Sequence, residues 1–168
     1  MGAPVVIDAF EFCRLKERLT GEAPVADLKR LAADCVNPST SLRWSLQGGI
    51  DALGHPQLTM SVEGQVQLIC QRCVKPMDYA FASESILLLA NSEEHADQIE
   101  EAIADESIDV IVGSKSMQVM ELIEDEALLA LPLSPRHEMC PDGAAVETLT
   151  EVKKPSPFEV LKNIKQKN

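Results

Sequence analysis

The chain has 168 residues and a mass of 18.3 kDa, enough for one full-sized hydrophobic core and too little for two. Only 4% of the residues are aromatic, so few side chains could stack on the bases of single-stranded nucleic acid. The net charge of −12 disfavours direct binding to naked RNA, because affinity for phosphate backbones comes largely from lysine and arginine.

The N-terminus shows no basic leader followed by an apolar stretch, and no apolar run approaches the roughly twenty residues of a membrane span. We therefore expect a cytoplasmic protein without membrane contacts. In that reducing compartment the five cysteines are expected to be thiols or metal ligands rather than disulfides.

Two helices are predicted near the N-terminus, over residues 8–18 and about 24–33, because apolar residues recur there at helical spacing. Cys13 and Cys35 lie in or beside these helices. Neither has a partner at metal-ligand spacing, so we interpret both as small buried apolar side chains.

The middle third of the chain changes to the two-residue period of strands with one buried face. Strands are predicted over 42–46, 58–70 and 79–89, with glycine or proline turns between them. These observations predict an α+β fold in which an antiparallel sheet, open or barrel-like, is flanked by N- and C-terminal helices.

A further strand is predicted over 108–112, followed by a helix from Ser116, as its cap, to about residue 130. Consecutive helical positions point about 100° apart, so neighbouring carboxylates on this helix cannot converge on one substrate atom. We therefore assign no catalytic residues and predict an exposed acidic face for partner recognition or solubility. Its members are Glu121, Glu124, Asp125 and Glu126.

Charge is unevenly distributed along the chain. Residues 84–126 contain 13 acidic residues and a single lysine, whereas the last sixteen residues contain five lysines and one acid. Such asymmetry is more often a solvated face and a tail than a binding site. If it is functional, the acidic side is expected to meet a basic partner.

The C-terminal residues carry the signals of a short capped helix. Ser156 is the predicted cap, Pro157 lies in the first turn and Glu159 completes a capping box. An apolar stripe of Phe158, Leu161 and Ile164 is too narrow to stabilise this helix alone, so it is a candidate partner-binding element. We predict one domain over 1–150, followed by a linker and this helix over 151–168.

Four residues have the spacing of a zinc site. Cys70 and Cys73 form a Cys-x-x-Cys knuckle, and His137 and Cys140 could complete a tetrahedral Cys3His set that joins two distant segments. The alternative is that the two knuckle cysteines are a reduced pair in a turn. A thioredoxin-like redox role is less favoured, because there the motif opens a helix, whereas here it joins strands.

Three motifs occur in order along the chain: Cys-Gln-Arg-Cys-Val-Lys-Pro from residue 70, Glu-Asp-Glu-Ala-Leu-Leu-Ala-Leu-Pro-Leu-Ser-Pro-Arg-His from residue 124, and Pro-Ser-Pro-Phe-Glu-Val-Leu from residue 155. Together they resemble the YceD family of large ribosomal RNA subunit accumulation proteins. The resemblance covers about 100 residues and implies a non-enzymatic factor needed for accumulation of 23S rRNA and biogenesis of the large ribosomal subunit.

Two classes of mechanism follow. In the first, the acidic surface holds a basic ribosomal protein or a pre-ribosomal particle. In the second, the protein is a metal-dependent enzyme acting on RNA or a small molecule. The sequence has no nucleophile elbow, glycine-rich phosphate loop or metalloprotease motif, which favours the first.

Overall fold

The structure is a computed structural model that describes residues 5–103, 105 and 107–141. Its helices are α1 (Ala9–Leu15), α2 (Lys29–Asp34), α3 (Glu93–Ala102) and α4 (Val119–Ala130), with a 3-10 turn at Val25–Asp27. Its strands are β1 (Val6–Ile7), β2 (Arg18–Pro24), β3 (Ser41–Ile50), β4 (Pro56–Ile69), β5 (Pro76–Ala90), β6 (Ile108–Val112) and β7 (Met117–Gln118). This combination confirms the predicted α+β class.

The main sheet has the strand order β2-β3-β4-β5-β6, and β1 and β7 form a separate two-stranded pair. Strands β2 to β5 are antiparallel neighbours, which confirms the predicted meander. Strand β6 runs parallel to β5, and α3 lies in the crossover that a parallel pair requires. Within the described residues the edge strands β2 and β6 are not paired with each other, so the sheet is open rather than barrel-like.

The main core lies on one face of the sheet, where α1 packs on β3 and α4 packs on β4 and β5. Neighbouring residues of β5 reach opposite sides of the sheet. Leu89 belongs to the main core, whereas Leu88 packs with Ala96 and Ile99 of α3. Both faces are therefore covered at this end of β5, which explains why residues 86–90 form an unbroken apolar run.

Helix α1 lies directly on the backbone of β3. The N–H of Gly48 donates to the carbonyl of Glu17 at 2.9 Å, and a Cβ added at Gly48 would overlap the carbonyl group of Phe12. Glycine is thus required here by the close approach of two backbones.

Several predicted boundaries differ from the structure, and the second predicted helix, about 24–33, is a 3-10 turn at Val25–Asp27 followed by α2 from Lys29. The first helix ends at Leu15, with Lys16 in the left-handed conformation, and β2 occupies the segment between the two predicted helices, for which no strand was predicted. Strand β2 is held by antiparallel pairing with β3, a contact between distant residues that local periodicity does not reveal. Helix α4 begins at Val119, so Ser116 is not its cap.

No helix in the described part of the chain is long and apolar enough to cross a membrane. The predicted C-terminal helix, with Phe158, Leu161 and Ile164, and the predicted domain boundary at residue 151 lie outside the described residues.

Candidate metal centre

The first half of the site is the loop between β4 and β5. The N–H of Cys70 donates to the carbonyl of Lys75, and the N–H of Val74 donates to the carbonyl of Cys70, both at 2.9 Å. Val74 has a φ of 59°, an uncommon conformation for a β-branched residue that often marks functional loops. These bonds close a tight turn that brings Cys70 and Cys73 to the same end of the hairpin.

The second half of the site is the segment that follows α4. Pro132 ends helical geometry at the preceding residue, and the chain then returns to the knuckle. There the N–H of Gln71 donates to the carbonyl of Pro135 at 2.8 Å, and the N–H of His137 lies 3.4 Å from the sulfur of Cys70. Hydrogen bonds from two backbone N–H groups, one accepted by a carbonyl and one by a sulfur, therefore attach this segment to the hairpin.

The structure brings the four predicted ligands together. The ligand atoms of Cys70, Cys73, His137 and Cys140 all lie within 4.8 Å of one another. The sulfurs of Cys70 and Cys140 are 4.0 Å apart, and the sulfur of Cys73 is 3.3 Å from Nδ1 of His137. Sulfurs bound tetrahedrally to zinc at about 2.3 Å would be about 3.8 Å apart, so small shifts of these side chains would fit the metal.

The electrostatic environment of the two knuckle thiols differs. Burial raises the pKa of Cys70, but N–H groups of Cys73, His137 and Arg72 outweigh it and lower the pKa to about 5. Cys70 is therefore a thiolate at neutral pH, the form that binds metal. Burial together with the neighbouring Cys140 and Cys70 raises the pKa of Cys73.

Sequence reasoning did not identify Arg72 as a member of this site. Its Nε donates to the sulfur of Cys140 at 3.0 Å, and Nη2 donates to the carbonyl of His137 at 2.8 Å and to that of Glu138 at 3.4 Å. The sequence feature that could have indicated Arg72 is its position between Cys70 and Cys73.

The other two cysteines do not belong to the cluster. Cys13 is fully buried and its thiol donates to the carbonyl of Gln57 at 3.2 Å, whereas Cys35 is half-buried. Burial raises the pKa of both thiols, so each remains protonated at neutral pH.

The acidic face predicted on α4 needs a correction, because two of its carboxylates are buried. Glu124 accepts the N–H groups of Arg30 and Leu31 and pairs with the Arg30 guanidinium, while Glu126 accepts the hydroxyl of Ser83 on β5. The two carboxylates have different partners and do not converge on one site. They stabilise the contacts of α4 with α2 and β5 instead.

The remaining two carboxylates, Glu121 and Asp125, are exposed on α4. Asp125 pairs with Nη1 of Arg30 at 2.6 Å, with both side chains about half exposed. Of the predicted acidic set, these two face solvent and are accessible to another molecule.

The fold and the cluster define an α+β protein with a candidate structural metal centre. A family model described as large ribosomal RNA subunit accumulation protein YceD matches residues 58–165, which include all four candidate ligands. A Haemophilus influenzae protein with the same description is 30% identical over 175 residues, covering 98% of this chain and 97% of that protein. The chain belongs to the YceD family. No solved structure matches it.

Proposed function

We propose that this protein is a non-enzymatic factor that promotes accumulation of 23S rRNA and assembly of the large ribosomal subunit in the cytoplasm. The observation that carries this proposal is the match over nearly the full length to a relative described as a large ribosomal RNA subunit accumulation protein.

The proposal includes a zinc ion bound by Cys70, Cys73, His137 and Cys140. Three cysteine sulfurs and one imidazole nitrogen that lie within 4.8 Å of one another match the donor set of structural zinc sites. Such an ion would cross-link the β4–β5 hairpin to the segment after α4. A site with four protein ligands has no open position for water or substrate, which counts against the alternative of a metal-dependent enzyme acting on RNA or a small molecule.

For the partner we propose a basic ribosomal protein or a pre-ribosomal particle that contacts the acidic surface. Support comes from the net charge of −12 and from the outward-facing carboxylates Glu121 and Asp125. Charge of this sign attracts basic proteins and repels naked RNA. The sequence-based proposal that Phe158, Leu161 and Ile164 also contact the partner stays a prediction.

The cellular role is tested by complementation. In Haemophilus influenzae cells that lack the related protein, the ratio of large-subunit to small-subunit rRNA should fall, and expression of this chain should restore it. An E121K/D125K variant should restore the ratio poorly, while a variant with two lysines introduced at Glu22 and Glu63 on the sheet provides a charge-matched control. Failure of this chain to restore the ratio in the deletion strain would contradict the proposed function.

The metal is tested on the purified protein. Elemental analysis should find about one zinc per chain, as expected for a single four-ligand site. Cys140→Ala should lose the zinc, whereas Cys35→Ala should retain it, because Cys35 lies outside the cluster. Equal zinc contents in these two variants would contradict the assignment of Cys140 as a ligand.

A further inference from the structure

A single arginine side chain connects the two halves of the candidate metal centre. Arg72 belongs to the knuckle, yet all its described side-chain hydrogen bonds go to the other segment, at Cys140, His137 and Glu138. Two of these three residues are candidate ligands. We propose that Arg72 is the positioning residue of the metal centre and holds the His137–Cys140 segment in the geometry that the metal requires.

Cys140 is the ligand that depends most on this interaction. Within the described residues its sulfur interacts with Arg72 and with two other candidate ligands, Cys70 and Cys73. The contacts with Cys70 and Cys73 join one candidate ligand to another, whereas Arg72 is a contact of Cys140 from outside the ligand set. The hydrogen bond from Arg72 therefore fixes the direction of the Cys140 sulfur before metal binds.

Charge supports the same assignment. Three thiolates and a neutral imidazole around Zn²⁺ have a net charge of −1, within a protein whose net charge is −12. The guanidinium supplies the opposite charge beside one of the sulfurs. Hydrogen bonds from neighbouring groups to metal ligands orient them, and losing one typically weakens metal binding by about 10- to 100-fold.

The shape of the arginine matters as well as its charge. Nε faces the Cys140 sulfur while Nη2 faces the His137 carbonyl, so one planar group holds a ligand side chain and the backbone of another ligand. Lysine has a single ammonium group and cannot reproduce this fork. Arg72→Lys is therefore expected to lose most of the positioning effect although it keeps the charge.

The inference rests on the proposed metal site, and its test measures metal binding directly. Zinc affinity and the rate of zinc loss to a chromophoric chelator are compared for wild type, R72Q, R72K and R136Q. Arg136 is a matched control, because it lies beside His137 but its Nε donates to Ser134 instead of the cluster. R72Q should bind zinc about 10- to 100-fold more weakly, with faster release, and R136Q should match wild type.

Cobalt substitution provides a second measurement, since the intensity of the thiolate-to-cobalt charge-transfer band depends on the number of bound sulfurs. R72Q should have a weaker band, as Cys140 is bound in fewer molecules. Arg72 is exposed, so the variant should fold, and circular dichroism checks this.

The outcomes separate the two proposals. If R72Q equals wild type in zinc affinity, release rate and cobalt spectrum, or if R72K does so, the positioning role is overturned while the metal site stands. A wild-type protein that binds neither zinc nor cobalt overturns both this inference and the metal site. The proposed role in rRNA accumulation is tested separately by complementation and does not depend on these metal-binding results.

Discussion

Glu124 of α4 accepts the backbone N–H of Arg30 at 2.7 Å and thereby caps the first turn of α2 from another element. The same oxygen accepts the N–H of Leu31 at 3.2 Å, and the other oxygen lies 3.0 Å from Nε and Nη2 of Arg30. Helix α2 has six residues and no side-chain cap within its own segment. A helix this short is not stable alone, so this external cap fixes both its position and its start.

Replacing Glu124 with alanine should destabilise the protein by about 2–3 kcal/mol, because it removes charge-assisted hydrogen bonds and leaves two N–H groups without their acceptor. Urea denaturation measures the difference. Asp125→Ala is the control, since Asp125 pairs with the same arginine at the surface and should cost less than about 1 kcal/mol. Equal losses in both variants would contradict the capping role.

Gly48 should not tolerate a side chain. Gly48→Ala should destabilise the protein by about 1–3 kcal/mol, because the new methyl group meets the Phe12 carbonyl and α1 has to move away from β3. Gly49→Ala should be neutral or slightly stabilising, as no atom lies within 4 Å of a Cβ at that position. Thermal unfolding of the two variants measures the contrast, and equal midpoints would show that α1 adapts without cost.

Zinc affinity should rise with pH between about pH 6 and pH 8, because metal binding displaces protons from its ligands. The pKa of Cys73 is raised, so this thiol is protonated at neutral pH and has to lose its proton on binding. Each displaced proton increases the apparent affinity by about tenfold per pH unit.

The other knuckle thiol, Cys70, determines how zinc affinity depends on pH in the acid range. Cys70, with a pKa of about 5, is already a thiolate at neutral pH and adds a further dependence only as the pH falls through that value. Competition titrations with a chelator of known affinity at each pH measure the slope. A zinc affinity independent of pH would exclude Cys73 as a ligand.

Deletion of residues 155–168 should leave the thermal midpoint nearly unchanged, because a segment of this length with a narrow apolar stripe is not expected to stabilise the body. The same deletion should abolish association with pre-ribosomal material, as measured by sucrose-gradient sedimentation of cell extracts. Two further variants separate the apolar from the electrostatic contributions to this association. One replaces Phe158, Leu161 and Ile164 by alanine, and the other replaces the neighbouring lysines by glutamine. A truncated protein that unfolds, or that sediments like the full chain, would contradict this prediction.

The central strands and the Cys-x-x-Cys pair could be predicted because their signals are local. Alternation over 58–70 identifies a strand with one buried face, and a Cys-x-x-Cys pair at a hairpin end is recognisable without a structure. The pairing of this knuckle with His137 and Cys140 was predicted from the knuckle spacing and from the occurrence of both segments in one chain, because no local pattern joins them.

The burial of Glu124 and Glu126 could not be predicted, because their partners are distant in sequence. Arg30 and Leu31 are 94 and 93 positions away from Glu124, and Ser83 is 43 positions from Glu126. Three consecutive acids on a helix resemble a solvated face until the packing of α2 and β5 is known. Strand β2 was missed for the same reason, since its conformation depends on β3.

An open sheet has two edges whose unpaired backbone groups could recruit strands from other molecules. Both edges here carry charged residues that discourage such pairing. Strand β2 has exposed Arg18 and Glu22 and ends at Pro24, while β6 has exposed Asp109. Within the part of the chain that the structure describes, these charges make edge-to-edge association of two copies through their sheets unfavourable.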